Sequence, residues 1–189
     1  MFFNIIYSLL RIVFFPFYRL KIYGRENIPD AGGMLVCANH SCLKDPIFVA
    51  IALGHKHAYT FMARSELFKI PIFGFVIKKL GAFPVKRGSA DITSIKTAIR
   101  SLKGGKTLIV FPEGSRFSDD VKAGAGMLAV KGGAPVVPVY LKGTKRVFST
   151  VCIYIGKPFA VPPPENKDYK EVAGSIMQTV RTLAQEPSI

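Results

Sequence analysis

Short apolar runs recur along the chain, separated by polar stretches that glycine and proline punctuate. Those at 19–24, 34–38 ("MLVCA"), 58–63 ("AYTFMA"), 81–85 ("GAFPV"), 107–111 ("TLIVF"), 135–141 ("PVVPVYL") and 151–155 ("VCIYI") have the length of strands. A run such as "TLIVF", with no charge to alternate against, suits a strand covered on both faces, as in parallel sheets. Elsewhere the apolar period changes to that of a helix. One helix is predicted to begin at Asp45-Pro46 and another at Asp91. The second sets Ile92, Ile95, Ala98, Ile99 and Leu102 on one face and turns Lys96, Arg100 and Lys103 away, until Gly104-Gly105 ends it. A final helix over 167–185 buries Tyr169, Val172, Ala173, Ile176, Val180 and Leu183 behind a stiff lead-in, "VPPPENKD". Strands alternating with helices, without internal repeats, place the chain in the α/β class. The expectation is a single domain with a mixed, mostly parallel sheet flanked by helices.

The first 21 residues, "MFFNIIYSLLRIVFFPFYRLK", need separate treatment. They lack a basic start and a small-residue cleavage site, which argues against a secretory signal. A spanning helix needs about 20 apolar residues, and Arg11 near the middle is costly there. On a helical wheel Asn4, Tyr7, Ser8, Arg11 and Tyr18 fall on one narrow side. Residues 1–18 are therefore expected to form an amphipathic, membrane-associating helix at the bilayer interface, with Arg11, Arg19 and Lys21 directed at anionic headgroups. A core helix of a soluble fold is the alternative. Residues 19–189 would form the domain itself. "LFKIPIFGFVIKKLG" at 67–81 reads either as a second apolar patch or as packed core.

Charge narrows the partners. Lys and Arg number 26 against 12 acidic residues, a formal net charge of +14. That excess favours a polyanion: nucleic acid, an anionic membrane surface or a phosphorylated substrate. The basic residues are scattered, and the aromatics cluster in apolar segments instead of alternating with them, so nucleic acid is not expected. Three cysteines, Cys37, Cys42 and Cys152, have neither an even count nor metal-ligand spacing, which favours a reducing compartment without disulfides. His55 and His57 have no acidic or cysteine neighbours, and an exposed turn is expected there instead of a metal site.

The stretch "CANHSCLKDP", 37–46, carries the chemistry. In one helix, residues five apart lie about 140° apart around the axis and cannot touch. In one strand they point to opposite faces, about 16 Å apart. Only a turn brings His40 and Asp45 together. The sequence offers one between an apolar strand and an Asp-Pro helix start, at the carboxyl end of a strand, where open α/β sheets place ligands. Spacing alone leaves two readings that can hold together: Asp45 as an N-cap with Pro46 at the first helical position, and Asp45 as the partner of a working imidazole, since a cap residue can turn its second oxygen to a histidine. "TLIVFPEGSR", 107–116, is a second buried strand followed by Glu113, Gly114, Ser115 and Arg116. A guanidinium there suits a phosphate monoester, to which it can make two parallel charge-assisted bonds.

Together these residues resemble the glycerolipid acyltransferase family, over about residues 21–160. "NHSCLKD" is similar to its His-x4-Asp block, "ARSELFKIPIFGFVIKKLGAFPVKR" (63–87) to its second, "FPEGSR" to its third and "APVVPVY" (134–140) to its fourth. The resemblance implies an acyltransferase domain over 19–189. It would move an acyl group from acyl-CoA or acyl-carrier protein to the free hydroxyl of 1-acyl-sn-glycerol-3-phosphate, with glycerol-3-phosphate or another lysophospholipid as alternative acceptors. His40 would be the general base and Asp45 its orienting acid. Arg116 and Arg64 would hold the acceptor phosphate, with Arg87 and Lys69 as weaker candidates. Glu113, Gly114 and Ser115 would shape the pocket, Glu113 by binding glycerol hydroxyls or an arginine. No bound cofactor or metal is implied. A lipid acceptor implies peripheral or monotopic membrane association, at the cytoplasmic face. Arg64 stands where the family usually has lysine, and Cys42 where serine or asparagine is common. A Cys42 acyl-enzyme, a hydrolase without a G-x-S-x-G elbow, a non-catalytic lipid-binding protein and a basic nucleic-acid-binding module are the competing readings.

Overall fold

A computed structural model describes residues 8, 12, 16–55, 58–85, 91–113, 121–144 and 146–185. Every expected strand forms within one residue of its expected bounds: β1 (Arg19–Tyr23), β2 (Leu35–Ala38), β3 (Tyr59–Arg64), β4 (Ala82–Val85), β5 (Thr107–Val110), β6 (Val136–Lys142) and β7 (Thr150–Ile155). They make one sheet in the order β1-β7-β6-β2-β5-β3-β4. The run from β6 to β4 is parallel throughout, while β7 lies antiparallel to β6 and carries β1 parallel to itself. Mixed and mostly parallel is thus the observed arrangement.

The continuous apolar runs are explained by cover on both faces. Leu35 and Cys37 of β2 pack on one side with α3 (Ile92–Lys103), α4 (Ala123–Gly132) and α5 (Tyr169–Thr182). Val36 and Ala38 face the other way, onto α1 (Asp45–Leu53) and Tyr18. The carboxyl end of α1 is held from afar: Arg25 Nε and Nη2 donate to the carbonyls of Ala52 and Ile51 at 3.0 and 3.2 Å. These are the unpaired acceptors that a helix end leaves, at its negative pole.

Two expectations need correction, one open reading is decided, and one element had no expectation. The helix expected from Asp91 forms, with Asp91 as its cap accepting from Ser94 N at 3.0 Å, but Ile92 at its first position is exposed instead of sharing the buried stripe. Ile92 sits at the open end of the helix, and burial begins two residues on, where Ser94 donates to Pro84 O of β4 at 2.9 Å. The helix expected over 1–18 cannot reach residue 18, because Pro16 and Phe17 form a turn and Tyr18 is buried against Phe48. Of its earlier residues, Ser8 and Ile12 are helical and exposed, and the others lie outside the described residues. The 67–81 stretch is not core: after a 3-10 turn (Ser65–Lys69) comes α2 (Phe73–Lys79), of which Gly74 and Ile77 are buried while Ile70, Ile72, Phe73 and Phe75 face solvent. Finally, α4 was not anticipated. Its sequence, "AGAGMLAVKG", has two interior glycines and little amphipathic contrast.

The glycines explain why α4 exists nonetheless. A Cβ on Gly126 would come far inside van der Waals contact distance of the Tyr169 carbonyl oxygen, so the bare backbone lets α4 lie directly on the start of α5. Gly126→Ala gains about 1 kcal/mol of helix propensity, but it meets backbone that cannot rotate away. Overpacking of this kind costs about 1–3 kcal/mol, and the rigid neighbour puts this case at the upper end. The urea midpoint of Gly126→Ala is expected to fall below that of the parent; an equal or higher midpoint would show that the two helices can part freely.

Candidate active site

Strand β2 stops at Ala38 because Asn39 replaces the next rung of the sheet with its side chain. Leu141 N–H donates to Asn39 Oδ1 at 2.7 Å, and Asn39 Nδ2 donates to Leu141 O at 3.2 Å. With the backbone released, residues 40–44 turn sharply into α1. The turn closes on one carboxylate oxygen. Asp45 Oδ2 accepts the amides of Ser41 and Cys42, both at 2.7 Å, and lies 3.1 Å from His40 Nδ1. Asp45 is fully buried, and the His40 side chain is 17% exposed. A carboxylate only accepts, so Nδ1 carries the proton in the neutral ring and Nε2 keeps its lone pair. The imidazole also lies against Phe111, centroids 4.3 Å apart, which fixes its second face.

The structure places Asp45 one position inside the helix, in contact with His40. Lys44 takes the N-cap position, Asp45 is the first helical residue and Pro46 the second. The expected cap is displaced by one residue because the carboxylate turns back into the loop, away from the free amides of the helix. Its charge still sits at the positive end of α1.

Sheet register brings the second motif alongside. Leu35, Val36 and Cys37 pair with Leu108, Ile109 and Val110, so continuing the register places residue 40 beside residue 113. Glu113 Oε2 accepts His40 N–H at 3.0 Å, and Glu113 Oε1 lies 3.4 Å from Arg181 Nη2, near the end of α5. Residue 122 returns beside residue 112, where Lys122 N–H donates to Pro112 O at 2.9 Å. A further tie reaches the turn from upstream. Lys44 Nζ donates to the Tyr18 hydroxyl at 2.7 Å, and this bond holds the ammonium above the ordinary lysine range.

Among the expected site residues, His40, Asp45 and Glu113 come together. Arg64 ends β3, the far neighbour of β5; its half-exposed guanidinium Nε lies 3.6 Å from Glu66 Oε2. Lys69 is exposed on the following turn. Arg87, Gly114, Ser115 and Arg116 lie outside the described residues. Cys42 is half-buried beside the pair and Cys37 is buried, its thiol pushed far up by desolvation. His55 is exposed at the end of α1, and among the described residues no group of three His, Cys, Asp or Glu is placed to hold a metal ion. Asn39 and Arg181 were not picked out from the sequence. The first had a signal, an amide just beyond an apolar run; the second, on a distant helix, had none.

The profile of a family described as Acyltransferase matches residues 19–142. The chain belongs to the acyltransferase family. Over 126 residues it is 38% identical to a 1-acyl-sn-glycerol-3-phosphate acyltransferase of Bacillus subtilis, covering 66% of this chain and 63% of that protein. Over 146 residues it is 34% identical to a chloroplastic 1-acyl-sn-glycerol-3-phosphate acyltransferase of Brassica napus, covering 74% and 42%. The crystal structure of the 1-acyl-sn-glycerophosphate (LPA) acyltransferase PlsC from Thermotoga maritima is similar with a TM-score of 0.77 at 29% identity, over 99% of this chain and 81% of that one. The chain spans less than two thirds of the length of these two curated relatives. The acyltransferase match contains every strand from β1 to β6 and stops before α5.

Asn39→Asp tests the clamp that starts the turn. It keeps the acceptor and the size but sets a carboxylate oxygen against the Leu141 carbonyl. The expected loss is about 1–3 kcal/mol, the range for leaving a buried polar group unpaired, read as a lower urea midpoint. An unchanged midpoint would show that β2 ends for another reason.

Proposed function

We propose that the chain transfers an acyl group from an acyl thioester, acyl-CoA or acyl-carrier protein, to the free hydroxyl of 1-acyl-sn-glycerol-3-phosphate, giving phosphatidic acid. The observation that carries this reading is the 3.1 Å contact between His40 Nδ1 and a buried Asp45, at the carboxyl end of a parallel strand. His40 Nε2 takes the proton of the acceptor hydroxyl as its oxygen attacks the thioester carbonyl. The carbon–sulfur bond then breaks, and the departing thiolate recovers the proton from the imidazolium. Asp45 keeps the ring in the productive tautomer and stabilises its charged form. The acceptor hydroxyl is itself the nucleophile, so Cys42 has no covalent part.

Arg116 and Arg64, with Arg87 and Lys69 in weaker roles, hold the acceptor phosphate, and Gly114 and Ser115 shape the loop around it. Glu113 serves that pocket through its bonds to the His40 amide and to Arg181. The acceptor lives in a bilayer, so the protein works as a peripheral or monotopic membrane protein at the cytoplasmic face. The basic excess and the apolar N-terminal segment support that placement. Among the described residues no helix is long and apolar enough to cross a membrane.

Purified protein in detergent, given acyl-CoA and a panel of lysolipids, is expected to release thiol fastest with 1-acyl-sn-glycerol-3-phosphate. His40→Ala should lose at least ~10²–10⁴ in kcat, Asp45→Asn a loss of similar order, and Cys42→Ser little. Turnover with glycerol-3-phosphate alone would reassign the acceptor, and equal rates for the parent and His40→Ala would remove the mechanism.

A further inference from the structure

Large apolar side chains left exposed are gathered at one end of the sheet. Leu43 lies in the His40–Asp45 turn. Ile72 and Phe75 follow the carboxyl end of β3, Ile92 follows that of β4, and Val147 and Phe148 follow that of β6. Ile12, in the N-terminal segment, aside, none of the large apolar side chains exposed among the described residues belongs to the opposite end. His40 therefore emerges in the middle of an apolar rim.

Two rim residues are also conformational outliers. The described non-glycine residues with positive φ are Ile72, Phe148 and Lys167. Ile72, at φ 62° and ψ −58°, is the centre of a γ-turn closed by Phe73 N–H on Pro71 O. Phe148, at φ 63°, is pinned by its N–H to Phe17 O at 2.7 Å. Ile72 and Phe148 are 82% and 73% exposed, the two highest values among the large apolar residues described. A β-branched or bulky side chain at positive φ is sterically disfavoured, and its exposure to water is unfavourable as well. Glycine or asparagine would relieve both penalties. A tip that keeps both is suited to an apolar phase outside the protein.

The surroundings name that phase. Residues 67–81 contain Lys69, Lys78 and Lys79 and no acid; residues 143–149 contain Lys145 and Arg146 and no acid. Lys79 Nζ lies over the Phe75 ring at 5.7 Å from its centroid, its stem on the apolar surface and its charge at the edge. Apolar tips ringed by cations fit an anionic bilayer. A second copy would set like charges against each other in a chain already at +14. Four strand spacings, about 19 Å, separate β7, which Phe148 precedes, from β3, which Ile72 follows, and β2 with its catalytic turn lies between those strands.

We propose that Ile72 and Phe148 are two insertion tips that seat the carboxyl end of the sheet on an anionic bilayer. This docking surface is separate from the N-terminal segment. It rests on the acyltransferase reading only for its purpose, which is to bring His40 to an acceptor that stays in its leaflet.

The chain contains no tryptophan, so Ile72→Trp and Phe148→Trp each supply a sole reporter. Lys103→Trp, at the carboxyl end of α3 and the far end of the sheet, is the control. With phosphatidylglycerol vesicles the tip reporters are expected to shift to the blue and to be quenched by brominated acyl chains, and the control to do neither. Tip emission indifferent to vesicles, or a control that shifts equally, overturns the proposal. So does a lipid-free shift that grows with protein concentration, which marks a second copy. The double variant Ile72→Asp/Phe148→Asp should bind these vesicles at least tenfold more weakly while turning over a dissolved short-chain lysophosphatidate within twofold of the parent. Parent-like vesicle binding overturns the proposal. If the double variant loses both properties, the tryptophan reporters, which preserve the apolar tips, decide. His40→Ala should bind vesicles like the parent, so a parent inactive on every acceptor would sink the enzymatic reading and leave the docking result standing.

Discussion

Three donors converge on a single oxygen of Asp45, and their convergence makes five residues of otherwise unremarkable loop into a device with one geometry. The amides of Ser41 and Cys42 hold the turn, and the imidazole of His40 is held by the same atom. Loop conformation and ring orientation are therefore not separate properties. Charge-assisted bonds to a buried carboxylate are about twice as strong as neutral ones. An uncompensated charge at that depth would be costly, so the turn is stable only while its donors stay aimed inward.

The sheet supplies what the turn cannot. Parallel strands release their chains at one end, so β2 and β5 deliver two loops to the same place, and the register sets residue 40 beside residue 113. Each loop then fastens to a neighbour through a side chain in place of a backbone rung. Asn39 reaches β6, and Glu113 reaches back to the His40 amide. These substitutions end regular pairing while the backbone groups of Leu141 and the His40 amide stay bonded, which is how a buried sheet opens into a site.

Much of this was legible in the chain. Continuous apolar runs located all seven strands, because strands covered on both faces leave no polar alternation to blur their limits. Spacing showed that only a turn could bring His40 and Asp45 together, since helix and strand both forbid it, and left open whether the turn did so; the 3.1 Å contact is what the structure adds. Two kinds of feature escaped. Helix α4 depends on the close approach that Gly126 allows to α5, a tertiary fact that local propensity contradicts. The cap of α1 fell on Lys44 instead of Asp45, because the carboxylate had a stronger use behind it than ahead of it. The 67–81 stretch was left undecided, and only its packing showed which apolar residues remained outside.

The acyltransferase match ends at residue 142, yet the site does not. Helix α5 buries Ala173, Ile176, Met177 and Val180 against the sheet and α4, and Leu183 just beyond it is buried too. That burial fixes where Arg181 can stand, and Arg181 faces the oxygen of Glu113 that His40 does not use. At 3.4 Å and half-exposed the pair adds little to stability by itself. Its consequence is electrostatic and positional. A carboxylate aimed only at the His40 amide would be free to rotate, whereas one drawn from both sides keeps its plane and so holds the backbone from which the imidazole projects. A segment far along the chain thus sets the aim of the turn near its start, and the apolar face of α5 matters to the site as much as the charge it carries.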